Sequence, residues 1–108
     1  MLPIFIINNH CISAGDMTSN ITSTVVDIGE VGGYCVHGVY SGSPNGTLAV
    51  QVSNNLTNFH TVNSISIPTS DSQVFYQADK AHYRYVKLVY TASSGTGVLN
   101  CYISGKQI

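Results

Sequence analysis

The stretch that decides the fold is residues 83–91, which read YRYVKLVYT. Every second side chain from Val86 onwards is apolar, so Val86, Leu88 and Tyr90 would share one face of an extended chain. A period of two is typical of a β-strand, whose successive side chains point to opposite faces of the sheet. We therefore predict a strand over 83–91, and its length indicates a central position in a sheet.

A second pair of strands is predicted upstream of this stretch. Residues 34–41 are β-prone, and in residues 47–53 the apolar side chains of Leu48, Val50 and Val52 again recur with a period of two. Between them stands Ser43-Pro44-Asn45-Gly46, in which proline and Asn-Gly are typical of tight turns. The sequence therefore predicts a hairpin around residues 43–46.

The rest of the chain repeats this pattern of short apolar runs and turn-forming clusters. Further strands are predicted over 24–28, 59–67, 73–77 and 98–104, with turns at 29–33, 68–72 and 92–97. No window keeps the apolar spacing of an amphipathic helix. Because one open sheet would leave an apolar face in water, we predict an antiparallel two-sheet β-sandwich, jelly-roll-like, with seven to eight short strands.

The N-terminal segment is predicted to be distinct from the sandwich. Residues 1–22 are interpreted as a strand or an extended arm, and residues 23–108 as the β-sandwich domain. The first residues are apolar on both faces and are followed by a polar connection, over 8–22, that is too long for a tight turn. A partner subunit could cover such a run, and an ordinary first strand of the same sandwich is the equal alternative. The interface candidates are Leu2, Ile4, Phe5, Ile6 and Ile7.

Charge and hydropathy narrow the class of partner. Only 8% of the 108 residues are Asp, Glu, Lys or Arg, against about 25% in an ordinary soluble domain. The formal net charge is −1, so the chain has no excess of cations to neutralise a phosphate backbone. The longest apolar run, residues 1–7, is far shorter than the ~18 residues of a membrane span. We expect neither a nucleic-acid nor a membrane partner.

Three cysteines are present, Cys11, Cys35 and Cys101. Their number is odd and no C-x-x-C pair occurs, which argues against both a disulfide framework and a zinc site. We expect three free thiols. A bridge between Cys11 and Cys101, which would tie the two ends of the chain together, is the alternative.

No arrangement of catalytic groups is recognisable. Nucleophile elbows, phosphate-binding loops and H-E-x-x-H sequences do not occur. The acidic residues fall in or beside predicted turns, where carboxylates commonly cap the chain: Asp16, Asp27, Glu30, Asp71 and Asp79. The sequence therefore predicts a protein that is not an enzyme and that needs no cofactor.

Cys35 and His37 are two residues apart on a predicted strand and so lie on one face, where they could share a metal ion. A structural site generally needs four ligands, so cross-strand packing is the favoured interpretation and no metal is expected. The seven tyrosines are interpreted mainly as fillers of the core and the sheet faces. Because tryptophan is absent, any exposed tyrosine favours protein contacts over sugars.

Two segments resemble a known group of proteins. Residues 85–106, YVKLVYTASSGTGVLNCYISGK, resemble the C-terminal hairpin of small β-sandwich domains found in virion proteins of tailed bacteriophages. The upstream elements VDIG (26–29) and GTLAVQVSN (46–54) are similar to the same group. The chain departs from that pattern because the tryptophan often seen after the V-Q-x-S-N strand is missing, and Phe59 stands there instead.

The resemblance implies a virion role without catalysis. Such domains occur as capsid decoration (cement) proteins and as modules of fibres or spikes, and the chain length favours a stand-alone decoration subunit. The implied partners are the major capsid protein and further copies of the chain, as a homotrimer. The implied location is the capsid surface, after synthesis in the cytoplasm of the host bacterium. The alternative is a carbohydrate-binding or host-attachment module of a phage fibre or spike.

Overall fold

A computed structural model describes residues 5–29, 32–78 and 83–106 of the chain. They form seven β-strands: β1 (Phe5–Asp16), β2 (Ile21–Thr22), β3 (Val26–Asp27), β4 (Gly33–Ser53), β5 (His60–Ile67), β6 (Gln73–Ala78) and β7 (Tyr85–Lys106). Every pairing between these strands is antiparallel. The all-β fold expected from the sequence is confirmed. Over the described ranges, no helix has the length and hydropathy needed to cross a membrane.

Hydrogen bonds join the described strands into one sheet, with β4 and β7 at its centre. β5 and β6 pair with one side of β4, while β1, β2 and β3 pair with the far side of β7. The sequence predicted two separate sheets, and that division is not seen. The physical reason is that both central strands continue through the whole molecule, so one ladder joins them from the Gly33–Lys106 pair to the Ser53–Tyr85 pair with a single register shift. The central position predicted for residues 83–91 is confirmed.

The turns predicted at residues 43–46 and 92–97 are wrong, and so is the hairpin predicted around the first of them. Ser43-Pro44-Asn45-Gly46 lies in the middle of β4, and residues 92–97 lie in the middle of β7. The two sequences face each other, with Ser43 opposite Thr96 and Pro44 opposite Gly95. Turn-forming residues favour a change of chain direction, and a bend within a paired strand satisfies that preference as well as a reversal does. Four predicted short strands are therefore two long ones.

The central strands bend where these sequences meet. A straight strand of 21 residues would extend about 69 Å at ~3.3 Å per residue, whereas the longest dimension of the molecule is 44 Å. Gly42 and Gly95 have φ angles of 88° and 84° at the bend, which only glycine adopts without strain. The register also shifts between Asn45 and Gly46, where β7 carries Ser93 as an extra residue.

The bend divides the sheet into two parts, which are named here by their outer strands. The β6 part contains β6, residues 33–41 of β4, residues 98–106 of β7, and β1. The β5 part contains β5, residues 46–53 of β4, residues 85–92 of β7, and the short β2 and β3.

The core lies on one face of the bent sheet. In β4 the buried apolar side chains are at even-numbered positions, as at Val36 and Leu48. In β7 they are even-numbered before the bend, as at Leu88, and odd-numbered after it, as at Leu99. The extra residue Ser93 explains this change, because an inserted residue returns the following side chains to the same face. Met17 and Ile28, from segments outside the strands, complete the core.

The polar stretch after the N-terminal run is more regular than predicted. Residues 8–16, interpreted from the sequence as an irregular connection or an arm, belong to β1 and pair with β7. Asn8, Asn9 and His10 are exposed, which is compatible with a strand at the edge of a sheet. Register shifts interrupt the pairing, notably between His10 and Ile12, and such irregularities do not show in a hydrophobic pattern.

Candidate functional site

The outer face of the β6 part carries four aromatic rings in a line, one from each strand. Phe75 of β6 lies opposite His37 of β4, His37 lies opposite Tyr102 of β7, and Tyr102 lies opposite His10 of β1. Strands β4, β6 and β7 each alternate these residues with core positions, so their rings point away from the core. These four residues are called the aromatic row below.

The rings of the aromatic row pack on one another across the strands. His37 and Phe75 are stacked with centroids 4.2 Å apart and an interplanar angle of 7°. His10 and Tyr102 are stacked at 4.4 Å and 17°, and His37 and Tyr102 are tilted, at 6.3 Å and 42°. The stacked faces cover each other, so the row presents mainly ring edges to solvent. The two ends of the row are the exceptions: Phe75, which is 64% exposed, stacks on His37, and the exposed His10 stacks on Tyr102, each through one ring face.

Amide side chains fix the two histidines. Nε2 of His37 donates to Oε1 of Gln73 at 2.9 Å, and Nε2 of His10 donates to Oδ1 of Asn100 at 3.1 Å. The same Asn100 oxygen accepts the Ala14 main-chain N–H at 2.9 Å. These bonds use the ring N–H groups while the ring faces stack, so both imidazoles are held in one orientation.

The nearest neighbours of the aromatic row on the outer face carry no formal charge, and the charged residues Asp16 and Lys106 lie at the ends of β1 and β7. The positions two residues before and after Phe75, His37 and Tyr102 share its outer face and are all neutral: Gln73, Gln77, Cys35, Val39, Asn100 and Ser104. Cores of protein interfaces are depleted of charged residues and enriched in aromatic ones. The outer face of the β6 part therefore has the composition of a protein contact surface.

The metal interpretation of Cys35 and His37 finds no support in the geometry. Both are half-buried on the outer face, as their spacing predicted. Over the described ranges, no group of three or more His, Cys, Asp or Glu side chains could hold a metal ion. His37 instead packs against Phe75, which is the cross-strand packing favoured from the sequence.

The predicted interface residues are only partly within the described ranges. Leu2 and Ile4 lie outside them. Phe5, Ile6 and Ile7 belong to β1, where Phe5 pairs with Lys106 and Ile7 with Gly105 of the same chain. Their role in contacting a neighbouring subunit stays a prediction.

Cys11 and Cys101 lie together in the core between β1 and β7. The Sγ atom of Cys11 donates to the carbonyl oxygen of Cys101 at 3.5 Å. Burial raises the pKa of the Cys11 thiol to about 11 and that of Cys101 to about 12. Since the thiolate is the reactive form, both groups are poor nucleophiles at neutral pH.

The described acidic side chains cap the main chain, as predicted. Oδ1 of Asp16 accepts the Thr18 main-chain N–H at 2.9 Å, and Oδ1 of Asp27 accepts that of Gly29 at 2.9 Å. These hydrogen bonds lower the pKa of both carboxyl groups. Asp71 similarly accepts the main-chain N–H of Gln73 at 3.2 Å, while Glu30 and Asp79 lie outside the described residues.

Several tyrosines fill the core, in line with the interpretation from the sequence. Tyr34, Tyr40 and Tyr90 are buried. The hydroxyl oxygens of Tyr34 and Tyr83 lie 2.7 Å apart, and burial, together with Tyr83, raises the pKa of Tyr34.

Two members of the aromatic row were missed by the sequence reasoning. Phe75 fell in a weakly marked strand, and His10 in a stretch interpreted as a connection. The signal for Phe75 was present: in residues 73–78 the buried Val74 alternates with Gln73 and Phe75, which places the phenyl ring on the outer face. No comparable signal was present for His10, because its alignment with Tyr102 depends on the register of β1 on β7.

Comparison with known proteins finds similarity in fold. No protein-family model and no curated protein sequence matches the chain. The crystal structure of the SPBc2 prophage-derived protein YomS is similar over 97% of this chain and 96% of that one, with 12% identity and a TM-score of 0.67. A chain from Bacillus endospore appendages, described as a novel family of disulfide-linked pili, is similar over 99% and 88%, with 9% identity and a TM-score of 0.52. At these identities the likeness shows the fold alone.

Proposed function

We propose that this chain is a structural subunit of a phage-derived particle, and that it acts by contacting other protein subunits. The observation that carries the proposal is the aromatic row with its uncharged nearest neighbours on the outer face of the β6 part. Burying such a face avoids the desolvation cost that buried charges incur. Aromatic rings, meanwhile, supply large contact areas with few rotatable bonds.

The fold neighbours support a structural role. One is a protein derived from a prophage, and the other is a component of pili, which are built from repeated subunits. The low charge of the whole chain, at 8% of residues, is compatible with many weak neutral contacts. The proposed subunit contacts include both contacts between copies of this chain and contacts between this chain and a larger protein shell.

The finer proposal is a capsid decoration subunit that binds the major capsid protein and stabilises the shell. It rests on the resemblance of residues 26–54 and 85–106 to virion domains. The homotrimer that this resemblance implies stays a prediction.

Reconstitution tests the decoration proposal. Particles produced without the chain are mixed with the purified protein, sedimented, and heated with and without a chelator. We expect the protein to sediment with the particles at a fixed number of copies and to raise the temperature at which they release their contents. An unchanged release temperature, or a protein that stays in the supernatant, would contradict a cementing role.

A second candidate, a carbohydrate-binding module for host attachment, is favoured by one observation. The exposed ring face of Phe75, with the amide of Gln73 nearby, could stack on one sugar ring. The middle rings, His37 and Tyr102, are less suitable because each lies between two neighbouring rings. A glycan array distinguishes the candidates: the structural proposal expects no hits, and hits lost in a Phe75→Ser variant would favour the carbohydrate module.

A further inference from the structure

Cys11 and Cys101 lie opposite each other where β1 pairs with β7. His10 pairs with Tyr102, and Ile12 pairs with Cys101. Cys11 is thus an extra residue between two consecutive pairs of the ladder, and such a β-bulge places two residues of one strand opposite one residue of its partner. Cys11 and Ile12 are both buried, each with an exposure of 4%. The bulge therefore directs the Cys11 side chain into the core, on the face that Cys101 also occupies.

The position of Cys11 suits a disulfide bond to Cys101. The Sγ atom of Cys11 lies 3.5 Å from the carbonyl oxygen of Cys101. Facing residues of antiparallel strands have Cα atoms about 4.5–5.5 Å apart, and a disulfide joins residues whose Cα atoms are about 4.4–6.8 Å apart. A rotation of the two side chains, without a change in strand pairing, therefore brings the two sulfur atoms into bonding distance.

The third cysteine, Cys35, lies on the opposite side of the sheet. The buried apolar side chains of β4 are at even-numbered positions, whereas Cys35 is half-buried on the outer face. The odd number of cysteines thus divides into a facing pair in the core and one separate thiol. Because a change at Cys35 leaves the pair intact, a Cys35→Ser variant is the appropriate background for a test.

We propose that Cys11 and Cys101 form an intramolecular disulfide when the chain meets an oxidant of the disulfide class, and that this bond staples β1 to β7. The inference goes beyond the proposed function and does not depend on it. Three free thiols, the expectation from the sequence, then describe the reduced chain, and the bridge describes the oxidised chain.

The reaction is two successive thiol–disulfide exchanges. The thiolate of one cysteine attacks a sulfur of oxidised glutathione, whose S–S bond breaks, and one reduced glutathione leaves with the proton that the cysteine released. The second cysteine loses its proton and attacks the resulting mixed disulfide, which releases the other glutathione. The two protein thiols lose two electrons and two protons altogether, and oxidised glutathione takes up both.

Burial makes the opening of β1 the slow step of this reaction. Both thiols are covered in the folded chain, so glutathione reaches them only when β1 separates from β7. β1 is an outer strand, and three register shifts interrupt its pairing with β7. Elements at the edge of a fold open at a lower free energy than those in its core. The bridge, once formed, holds this edge closed.

Intact mass measurement tests the bridge. The full chain and its Cys35→Ser variant are incubated with oxidised glutathione, both folded and during refolding from urea, and the remaining thiols are then alkylated. We expect the Cys35→Ser variant to lose two hydrogens and to carry no alkyl group. The parent chain should contain the same bridge, with Cys35 alkylated or joined to glutathione.

Peptide mapping of the same samples names the residues that are joined. A bridge that includes Cys35, a covalent dimer through Cys11 or Cys101, or a glutathione retained on either of these two residues would overturn the proposal. Alkylation of both Cys11 and Cys101 after refolding in oxidised glutathione would overturn it equally.

Thermal unfolding of the oxidised and the reduced Cys35→Ser variant tests the staple. The two joined residues are 90 positions apart, and a bridge restricts the unfolded chain more as the loop that it closes becomes longer. We expect the oxidised form to melt about 5 °C or more above the reduced form, and reduction to cancel the difference. An equal or lower melting temperature of the bridged form would show that the fold strains the bond, and would overturn the proposal.

Discussion

Gly95 lies opposite Pro44 at the bend of the β4–β7 ladder and has a φ of 84°. A Cβ atom at this position would collide with the carbonyl oxygen of Ser43 on the facing strand. Two independent constraints, the left-handed conformation and the close approach of β4, thus require glycine here. Because both parts of the sheet are joined through this bend, a change at Gly95 should affect the whole fold.

The first prediction follows directly. Replacing Gly95 with alanine should lower the free energy of unfolding by about 3 kcal/mol or more, since it combines an unfavourable φ with a collision against main chain. Thermal and urea denaturation measure the loss. Ser94→Ala is the matched control, because Ser94 is exposed at the same bend, and it should change stability by less than about 0.5 kcal/mol. Similar values for the two variants would contradict the role of Gly95.

The second prediction contrasts two buried tyrosines. The hydroxyl of Tyr90 has no hydrogen-bond partner among the described residues, whereas Oη of Tyr40 accepts the Thr69 main-chain N–H and lies 3.0 Å from its Oγ1. Tyr90→Phe should therefore leave stability unchanged or raise it slightly, while Tyr40→Phe should lower it by about 1–2 kcal/mol. Denaturant unfolding of both variants provides the measurement. A larger loss of unfolding free energy in Tyr90→Phe than in Tyr40→Phe would contradict the assignment of hydrogen bonds to the Tyr40 hydroxyl and none to the Tyr90 hydroxyl.

The sequence predicted the class of fold because alternation of apolar residues is local, and residues 47–53 and 85–90 show it plainly. It did not distinguish a bend from a reversal at Pro44, because Ser-Pro-Asn-Gly is compatible with both, and the outcome depends on residues 92–97 of the facing strand. The aromatic row could not be predicted from the sequence for a related reason. His37 and Phe75 are 38 residues apart in the chain, and their stacking arises only from the register of β6 on β4.

The third prediction concerns alkaline pH. Burial keeps Cys11 and Cys101 protonated in the folded chain, with pKa values of about 11 and about 12 instead of the ordinary 9.0. Their contribution to stability is complete below pH 9 and is lost as the pH rises, because the unfolded chain then releases protons that the folded chain retains. The free energy of unfolding should fall by up to about 1.4 kcal/mol per pH unit for each thiol between pH 9 and 11.

A Cys101→Ala variant isolates this effect from the ionisation of other groups. It should be less stable than the parent at pH 7, because the buried side chain is smaller, and its stability should fall less steeply above pH 9. Equal slopes for the two proteins would show that Cys101 does not ionise differently in the folded and unfolded chain.

The fourth prediction concerns the apolar N-terminal residues. Deleting residues 1–7 removes the pairs that Phe5 and Ile7 make with β7 but leaves those of residues 8–16. We expect the truncated chain to fold with a melting temperature within a few degrees of the parent and to lose particle binding, as measured by calorimetry and co-sedimentation. A truncated chain that does not fold would assign these residues to the chain's own core, and the intermolecular role would be wrong.

The central claim is that this chain is a structural component of a particle. Electron cryomicroscopy of particles purified from the organism that produces the chain, with and without the gene deleted, tests it most directly. We expect density for many copies at regular positions on the parent particles, missing from the deletion particles, with the outer face of the β6 part buried against a neighbouring subunit. Identical maps for the two kinds of particle, or copies whose aromatic row faces solvent, would contradict the account.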